Sequence, residues 1–416
     1  MNVAIITIGD ELLIGQVINR NAAWIAEQCT NIGCSVIAHS VVGDQAEDLT
    51  SEIRRLGARC SALILTGGLG PTHDDITKFV LAEMAGDHMV VHQPWVDHLR
   101  AWLARRGREL TARNAGQAEV PSTAAVLHNP VGTAPGLWMT IEGTIVVALP
   151  GVPREMQALM TAEVLPRFAS HVALEEGPIW TYHTLQTTGI AESNLADLIG
   201  EPSEFLGAST LAFLPNLQGV RLRIGVVGRS DAERTAERDR VRAILWNRAG
   251  RFIFGEGDRT LSEAVGLELA KRGHTIAVAE SCTGGLLGAE LTKVQGSSAW
   301  FLGGYLAYDN RVKISEVCVH PADLDRVGAV SQEVAEQLAT GARVQIGTTW
   351  GIGITGIAGP GGGTAEKPVG TIWIALAGPG GVKATRFQFG DERHSNRERS
   401  VGAALGMLWT ALKADS

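Results

Sequence analysis

Residues Ser61-Ala-Leu-Ile-Leu-Thr66 run straight into Gly67-Gly-Leu-Gly-Pro-Thr-His-Asp-Asp75, and this junction decides the fold. A short apolar run that ends in a glycine turn reads as a buried strand handing over to a helix. Outward from it the same alternation repeats. Val3-Ala-Ile-Ile-Thr7 and Ser35–Val41 read as strands. Asn21–Ile32 and Ala46–Leu56 read as helices, with Asn21 as an N-cap and Gly33 as a stop. Thr144–Leu149 is a further strand, leading through Pro150-Gly-Val-Pro153 into a helix that reaches Phe168. Strands alternating with helices of this length predict βαβ units and a parallel sheet.

The texture changes after Pro178. Strands are expected at Trp180–Thr187, Thr210–Leu214 and Val220–Val227, and a long charged helix at Asp231–Asn247, which together make a small α+β module. The stretch from Arg221 to Arg251 holds nine arginines against four acids. From Thr260 the α/β pattern returns. Helices are expected at Leu261–Lys271, Ser331–Val344 and Asn396–Ala411, and strands at Thr275–Ala279, Phe301–Ala307, Trp350–Thr355, Val369–Ala377 and Val382–Phe389. The last two strands should pair antiparallel. The domains expected are therefore 1–170, 171–257 and 258–416.

Composition excludes several classes. Of the 416 residues, 45% are hydrophobic and 19% charged, as in a core-forming protein. A net charge of −8 supplies no global basic field, so neither direct nucleic-acid binding nor attraction to an anionic membrane is expected. Fifty glycines exceed the usual share of about 7% without any collagen period, which directs attention to glycine-built loops. The uncharged stretch from Val344 to Ala365 is broken by glycines and Pro360, so it reads as strand plus loop. Acidic Asp10-Glu11 comes directly after the first strand, which is not the pattern of a secretory signal. Cys29, Cys34, Cys60, Cys282 and Cys318 form no C-x-x-C pair, which fits reduced thiols and a cytoplasmic location.

In the first unit, Gly67, Gly68 and Gly70 let backbone N–H groups approach a phosphate, and Thr72 adds a hydroxyl donor. Asp74 and Asp75 would repel a bare phosphate, so a bridging divalent cation reconciles them. Asp10 and Glu11, past the first strand, supply two further hard oxygen ligands of the kind that suits Mg²⁺.

Four motifs here resemble one family. Gly9-Asp-Glu-Leu-Leu-Ile-Gly15, the Gly67–Asp75 loop, Asn129-Pro-Val-Gly-Thr-Ala-Pro-Gly136 and Pro150-Gly-Val-Pro-Arg-Glu-Met156 look like the molybdopterin-binding-like domain of the competence/damage-inducible CinA proteins. The resemblance implies a MogA/MoaB-like fold and hydrolysis of the pyrophosphate of ADP-ribose with a divalent cation and K⁺. Sister proteins handle molybdopterin instead, and the residues leave that choice open.

In the third unit Ala279-Glu-Ser-Cys-Thr-Gly-Gly285 comes after a strand and opens a helix. Ser281 there can face a cleft, with the next N–H groups along the chain forming an oxyanion hole at the positive helix end. Ser281 and Thr283 as plain helix caps, and Cys282 as the nucleophile, are the alternatives. Lys313 is the candidate base, which requires its pKa to fall from about 10.4 to near neutrality. Gly353-Ile-Thr-Gly-Ile-Ala-Gly-Pro-Gly-Gly-Gly363 offers a second cradle, through Gly356, Gly359 and Gly361 with Thr355 as a hydroxyl contact. Arg397 on the last helix could clamp a phosphate.

The segments Ala279–Gly285, Gly296-Ser-Ser-Ala-Trp-Phe301, Gly304-Tyr-Leu-Ala-Tyr308 with Lys313, Gly328-Ala-Val-Ser331, Ile354-Thr-Gly-Ile-Ala-Gly-Pro360 and Lys367-Pro-Val-Gly-Thr371 resemble the CinA carboxy-terminal domain. That resemblance implies a metal-free nicotinamide-mononucleotide (NMN) amidohydrolase of the pyridine-nucleotide cycle, giving nicotinate mononucleotide and ammonia. It assigns Ser281 as nucleophile and Lys313 as its activator. Tyr308, Thr355 and Arg397 take supporting or ligand-binding roles. Gly390-Asp-Glu-Arg393 departs from the family pattern by one inserted residue, leaving Arg393 as the rival of Arg397. CinA proteins carry a KH-like module in the middle, and a homodimer is a further implication. KH domains clamp RNA through a G-x-x-G loop between helices, and none is read here. A molybdopterin-handling transferase and a non-catalytic adaptor for competence or DNA-repair proteins are the alternative functions.

Overall fold

The computed structural model describes residues 1–173 and 178–414. The chain divides into two compact units, one of Met1–Tyr182 with Val227–Asp231, the other of His183–Val226 with residues 232 onward. The expected middle and third domains thus share one unit. The last two residues of the expected third domain lie outside the described residues.

In the first unit β1 (Asn2–Ile8), β2 (Ser35–Val42), β3 (Ala62–Thr66), β4 (Ala125–Leu127), β5 (Gly136–Ile141) and β6 (Thr144–Leu149) form one sheet in the order β2-β1-β3-β6-β5-β4. The first four are parallel, as the sequence predicts, while β5 and β4 are added antiparallel, so the sheet is mixed. β1 and β3 are covered on both faces. Ala4, Ile6, Leu63 and Leu65 pack with Leu49 and Leu56 of α2 (Ala46–Gly57). Val3, Ile5, Ala62 and Ile64 meet Ile25 of α1 (Arg20–Asn31) and Phe168 on the opposite face. The first two helical ranges hold to within a residue, whereas the helix expected to end at Phe168 runs on to Ala173, and the cap of α1 is Asn19, whose side chain accepts from Ala22 N–H at 3.1 Å. Asn21 instead donates to Gly151 O at 2.7 Å. α3 (Thr77–Met84) comes after the glycine loop, and α4 (Pro153–Leu159) continues through a π turn at Met160–Val164.

The middle module pairs β7 (Ile179–Thr187), β8 (Thr210–Asn216), β9 (Gly219–Gly228) and β10 (Ile253–Glu256) in the order β8-β9-β7-β10. Leu185, Leu222 and Ile224 are buried against α5 (Glu192–Ile199) and α6 (Asp231–Ala249). One G-x-x-G spelling does occur, at Gly225-Val-Val-Gly228, but it lies inside β9 and is no loop between helices. Several arginines of α6 pair within the chain: Arg240 with Glu237, and Arg242 with Glu256. Hydrogen bonds from Arg240 hold the Glu237 carboxyl down at about 2.

The last part has β11 (Ile276–Glu280), β12 (Phe301–Leu306), β13 (Trp350–Gly356), β14 (Thr371–Gly378) and β15 (Gly381–Gln388) in the order β12-β11-β13-β14-β15. β11 is parallel to both neighbours, and the last two pairings are antiparallel. Ile276 and Val278 face a core shared with α7 (Leu261–Arg272), α8 (Leu286–Thr292) and α11 (Arg393–Ala414). Ala277 and Ala279 face α9 (Asn310–Val317) and α10 (Gln332–Ile346). Among the described residues no helix is long and apolar enough to cross a membrane.

The cap assignment has a direct consequence. Asn19→Ala removes the acceptor for the first turn of α1 and should cost about 1 kcal/mol. Urea unfolding of the purified chain measures it.

Candidate active sites

β11 brings the C-terminal site together. Glu280 at its end is in register with Leu306 of β12 and Ile354 of β13. Parallel strands that end at one level deliver their next residues to one edge: Ser281 from β11, Tyr308 and Lys313 after β12, and Thr355 from β13. Ser281 N–H donates to Ile354 O at 2.9 Å.

The helix end behind Ser281 differs from the expectation. Glu280 is buried, and its carboxylate accepts the N–H groups of Gly285 (3.1 Å), Leu287 (3.1 Å) and Gly288 (2.8 Å). Those amides belong to the first turn of α8, so the helix end cannot supply an oxyanion hole. Gly285, and neither Ser281 nor Thr283, stands at the N-cap. Gly284 N–H returns to Ser281 O at 3.1 Å. The turn's remaining amides, those of Cys282 and Thr283, have no carbonyl or carboxylate acceptor among the described residues.

Lys313 lies on α9 with only 1% of its surface exposed, and its Nζ donates to Tyr308 O at 2.9 Å. Burial pushes its proton affinity below the ordinary lysine range, and the charge of Asp309 offsets part of that. Tyr308 therefore serves Lys313 through its carbonyl, while its ring is 63% exposed. Burial pushes the Cys282 thiol up to about 12, so it stays protonated and is no nucleophile near neutrality.

Thr355 is buried, and its hydroxyl donates to Ala329 O at 2.8 Å, fastening β13 to the loop before α10. Of the loop glycines, Gly356 is required by packing, since a Cβ there would stand 2.8 Å from the backbone Thr371 O. Gly361 borders open space. Arg397 donates Nε and Nη2 to Thr283 O at 3.2 and 2.8 Å. Arg393 donates Nη1 to Gly359 O at 2.9 Å, with Nη2 3.5 Å from the Tyr308 hydroxyl.

The N-terminal loop is closed on itself. Asp75 accepts from Gly70 N–H (2.7 Å), Thr72 N–H (2.8 Å) and the Thr72 hydroxyl (2.5 Å). Its carboxylate thus takes the donors expected to cradle a phosphate, and Asp75 is spent as a loop tie where the sequence predicts a metal ligand. Gly67, at φ +119°, would place a Cβ 2.3 Å from Ile8 O, so it lets the loop pass against β1. The Thr77 hydroxyl donates to Gly67 O at 2.9 Å, under Gly68.

Asp10 and Asp44 exchange N–H to carboxylate bonds of 3.2 Å. Asp44 is held above the usual carboxylate range by burial first, and also by the charges of Asp10, Glu11 and Asp74. Asp44 is not among the site residues expected from the sequence, although Gly43-Asp44 ends β2 on the same sheet edge, which is a legible signal. Among the described residues no three His, Cys, Asp or Glu side chains converge closely enough to hold a metal. A cleft of about 490 Å³ beside Glu11 is lined by Asn19, Arg20, Asn21, Thr66 and Gly151. The Asn129 and Pro150 motifs meet where the Asn129 amide donates to Glu155 (2.6 Å) and Ala134 O (2.8 Å).

Three family models match the chain: the CinA C-terminal domain over residues 258–412, the probable molybdopterin binding domain over 4–170, and the damage-inducible protein CinA KH domain over 182–255. A CinA-like protein of Gemmatimonas aurantiaca is 42% identical over 100% of this chain and 97% of its own length. One of Salinibacter ruber is 42% identical over 97% and 98%. Among solved structures, competence/damage inducible protein CihA of Agrobacterium tumefaciens is 39% identical with a TM-score of 0.36, over 37% of this chain and 93% of that one.

The C-terminal geometry sets two outcomes. Iodoacetamide at pH 8 should modify exposed Cys318 and spare Cys282, read by peptide mass spectrometry of the native protein. Lys313→Met should keep or raise the thermal midpoint at pH 7. The folded amine binds its proton less well than the unfolded one, so its burden on stability is full at low pH and vanishes toward pH 10.5. The advantage of Lys313→Met should shrink over the same range.

Proposed function

Since the chain belongs to the CinA family, we propose that its C-terminal site is an amidohydrolase acting on the carboxamide of NMN. The observation that supports this reading is a buried amine of lowered proton affinity on the helix after β12, at the sheet edge where β11 ends in Ser281. Uncharged Lys313 takes the proton of the Ser281 hydroxyl as Oγ attacks the carboxamide carbon. The negative oxygen of the tetrahedral species faces the Cys282 and Thr283 amides. Lys313 returns the proton to the departing amine, and ammonia leaves an acyl ester on Ser281. Water, deprotonated by the same amine, then attacks the ester carbon, and the amine passes that proton to the departing Ser281 Oγ as nicotinate mononucleotide is released.

For the N-terminal domain we propose metal-dependent hydrolysis of the ADP-ribose pyrophosphate. Asp10, Glu11, Asp44 and Asp74 supply hard oxygen donors at one sheet edge, and a Mg²⁺-type ion would have to draw them together on binding, since among the described residues no three of them converge closely enough to hold a metal. Bound there, the ion would neutralise pyrophosphate charge. Asp75 is left out of this set. The match to a molybdopterin binding domain supports molybdopterin as a second ligand for the same cleft. Protection from thermal unfolding by ADP-ribose or by molybdopterin separates the two.

Ammonia release from NMN, with and without EDTA, tests the first reading. Ser281→Ala should lose several orders of magnitude in kcat, and an equal rate would remove Ser281 from the chemistry. The pH profile should rise along one limb whose midpoint lies below the ordinary lysine value, because only the neutral amine acts. Asp74→Ala should abolish ADP-ribose hydrolysis and leave ammonia release intact.

A further inference from the structure

Within the second compact unit the middle module leans on α11 at two glycines. A Cβ at Gly402 would stand 3.1 Å from Gln218 Cα, and one at Gly406 would stand 2.9 Å from Thr188 Oγ1. The β14–β15 hairpin meets the same helix through Leu376 and Phe387 in their shared core. Between module, hairpin and helix the chain leaves a groove of about 930 Å³. Its walls are Ile190 and Leu217 of the middle module, Leu376 and Phe387 of the hairpin, and Ala403 and Met407 of α11. Leu217 is 41% exposed, so apolar surface lies open to solvent there. A concave, mostly apolar space of this size, where two modules meet, is the usual form of a small-molecule site.

Three charged side chains line the groove: Lys383 and Arg399 on the side of the hairpin and helix, and Glu192 on the wall of the middle module. They leave a net of one positive charge. The Arg399 guanidinium stands 6.0 Å from the Phe389 ring, which stacks on Phe387 at 5.5 Å. Among the described residues neither Arg399 nor Lys383 is in an ion pair, and Glu398, beside Arg399, stands 3.2 Å from His394. A guanidinium fork thus ends an aromatic floor and is open to an anion.

We propose that this groove binds a small amphiphilic monoanion, with its apolar body against Phe387, Leu376 and Met407 and its acidic head on Arg399. The walls alone would accept a neutral molecule equally well. The unpaired guanidinium selects an anion, and the Glu192 carboxylate on the facing wall opposes a second negative group. The site is separate from the amidohydrolase centre and stands whether or not that reading holds.

The probe is 8-anilinonaphthalene-1-sulfonate, an aromatic monoanion, set against N-phenyl-1-naphthylamine, which lacks only the sulfonate. Fluorescence titration of the full chain at low ionic strength should show a saturable site for each. Ala403→Phe fills the groove and should abolish both. Arg399→Gln should weaken the sulfonate about fivefold, as loss of one exposed ion pair does, and leave the neutral probe within about twofold. Arg399→Lys should restore part of the loss, and Lys383→Gln should cost less than Arg399→Gln. The reverse order overturns the placement of the head, and equal losses for the two probes overturn selection of an anion. Probes that bind Ala403→Phe as well as wild type sit elsewhere and overturn the site. Wild type binding neither probe overturns it too, and a smaller association state of Ala403→Phe in sedimentation then identifies a second copy of the chain as the cover. Far-ultraviolet circular dichroism checks the fold of each variant, and Ala403→Leu makes the same test if Ala403→Phe does not fold.

Discussion

Glu280 ends β11 almost without exposure, and its carboxylate accepts three backbone N–H groups from the start of α8. An unpaired carboxylate at that depth would cost several kcal/mol, and three orphaned amides at a helix end would be costly as well. Each side needs the other. Satisfying both forces the chain through Gly284 and Gly285 in left-handed conformation, and this tight path carries Ser281 out at the strand end. Arg397 braces the same turn from α11 by its hold on Thr283. The serine is thus presented at a turn whose Glu280 carboxylate and α8 amides satisfy one another before any substrate arrives.

The amine on the helix after β12 works on the reverse principle. Lys313 is enclosed and given one carbonyl partner, which leaves it short of what an ammonium needs. Its reduced affinity for a proton is a defect in folding terms and the property that a general base requires.

The two glycine loops look alike as text and do different things. The loop from Gly67 wraps around Asp75 and consumes its own donors. The loop from Gly356 is pinned by Arg393 and Asn396 through its carbonyls and keeps open space at Gly361. A carboxylate five residues beyond Gly70 decides the difference. In the middle module the arginine-rich helix likewise turns inward, with Arg240 and Arg242 paired to acids of the same module.

Periodicity and turn residues determined most of the elements, because apolar spacing and glycine or proline punctuation act over a few residues. The motifs also determined family membership and the short set of side chains around each site. Pairing partners and the use of each polar group were decided only in three dimensions. The antiparallel addition of β5 and β4, the cap at Asn19, the capture of the α8 amides by Glu280 and the bonding of Asp44 to Asp10 all depend on which groups meet across the fold. A hydrogen bond is spent on whichever acceptor lies within about 3 Å, and a sequence fixes the donors without fixing that neighbour.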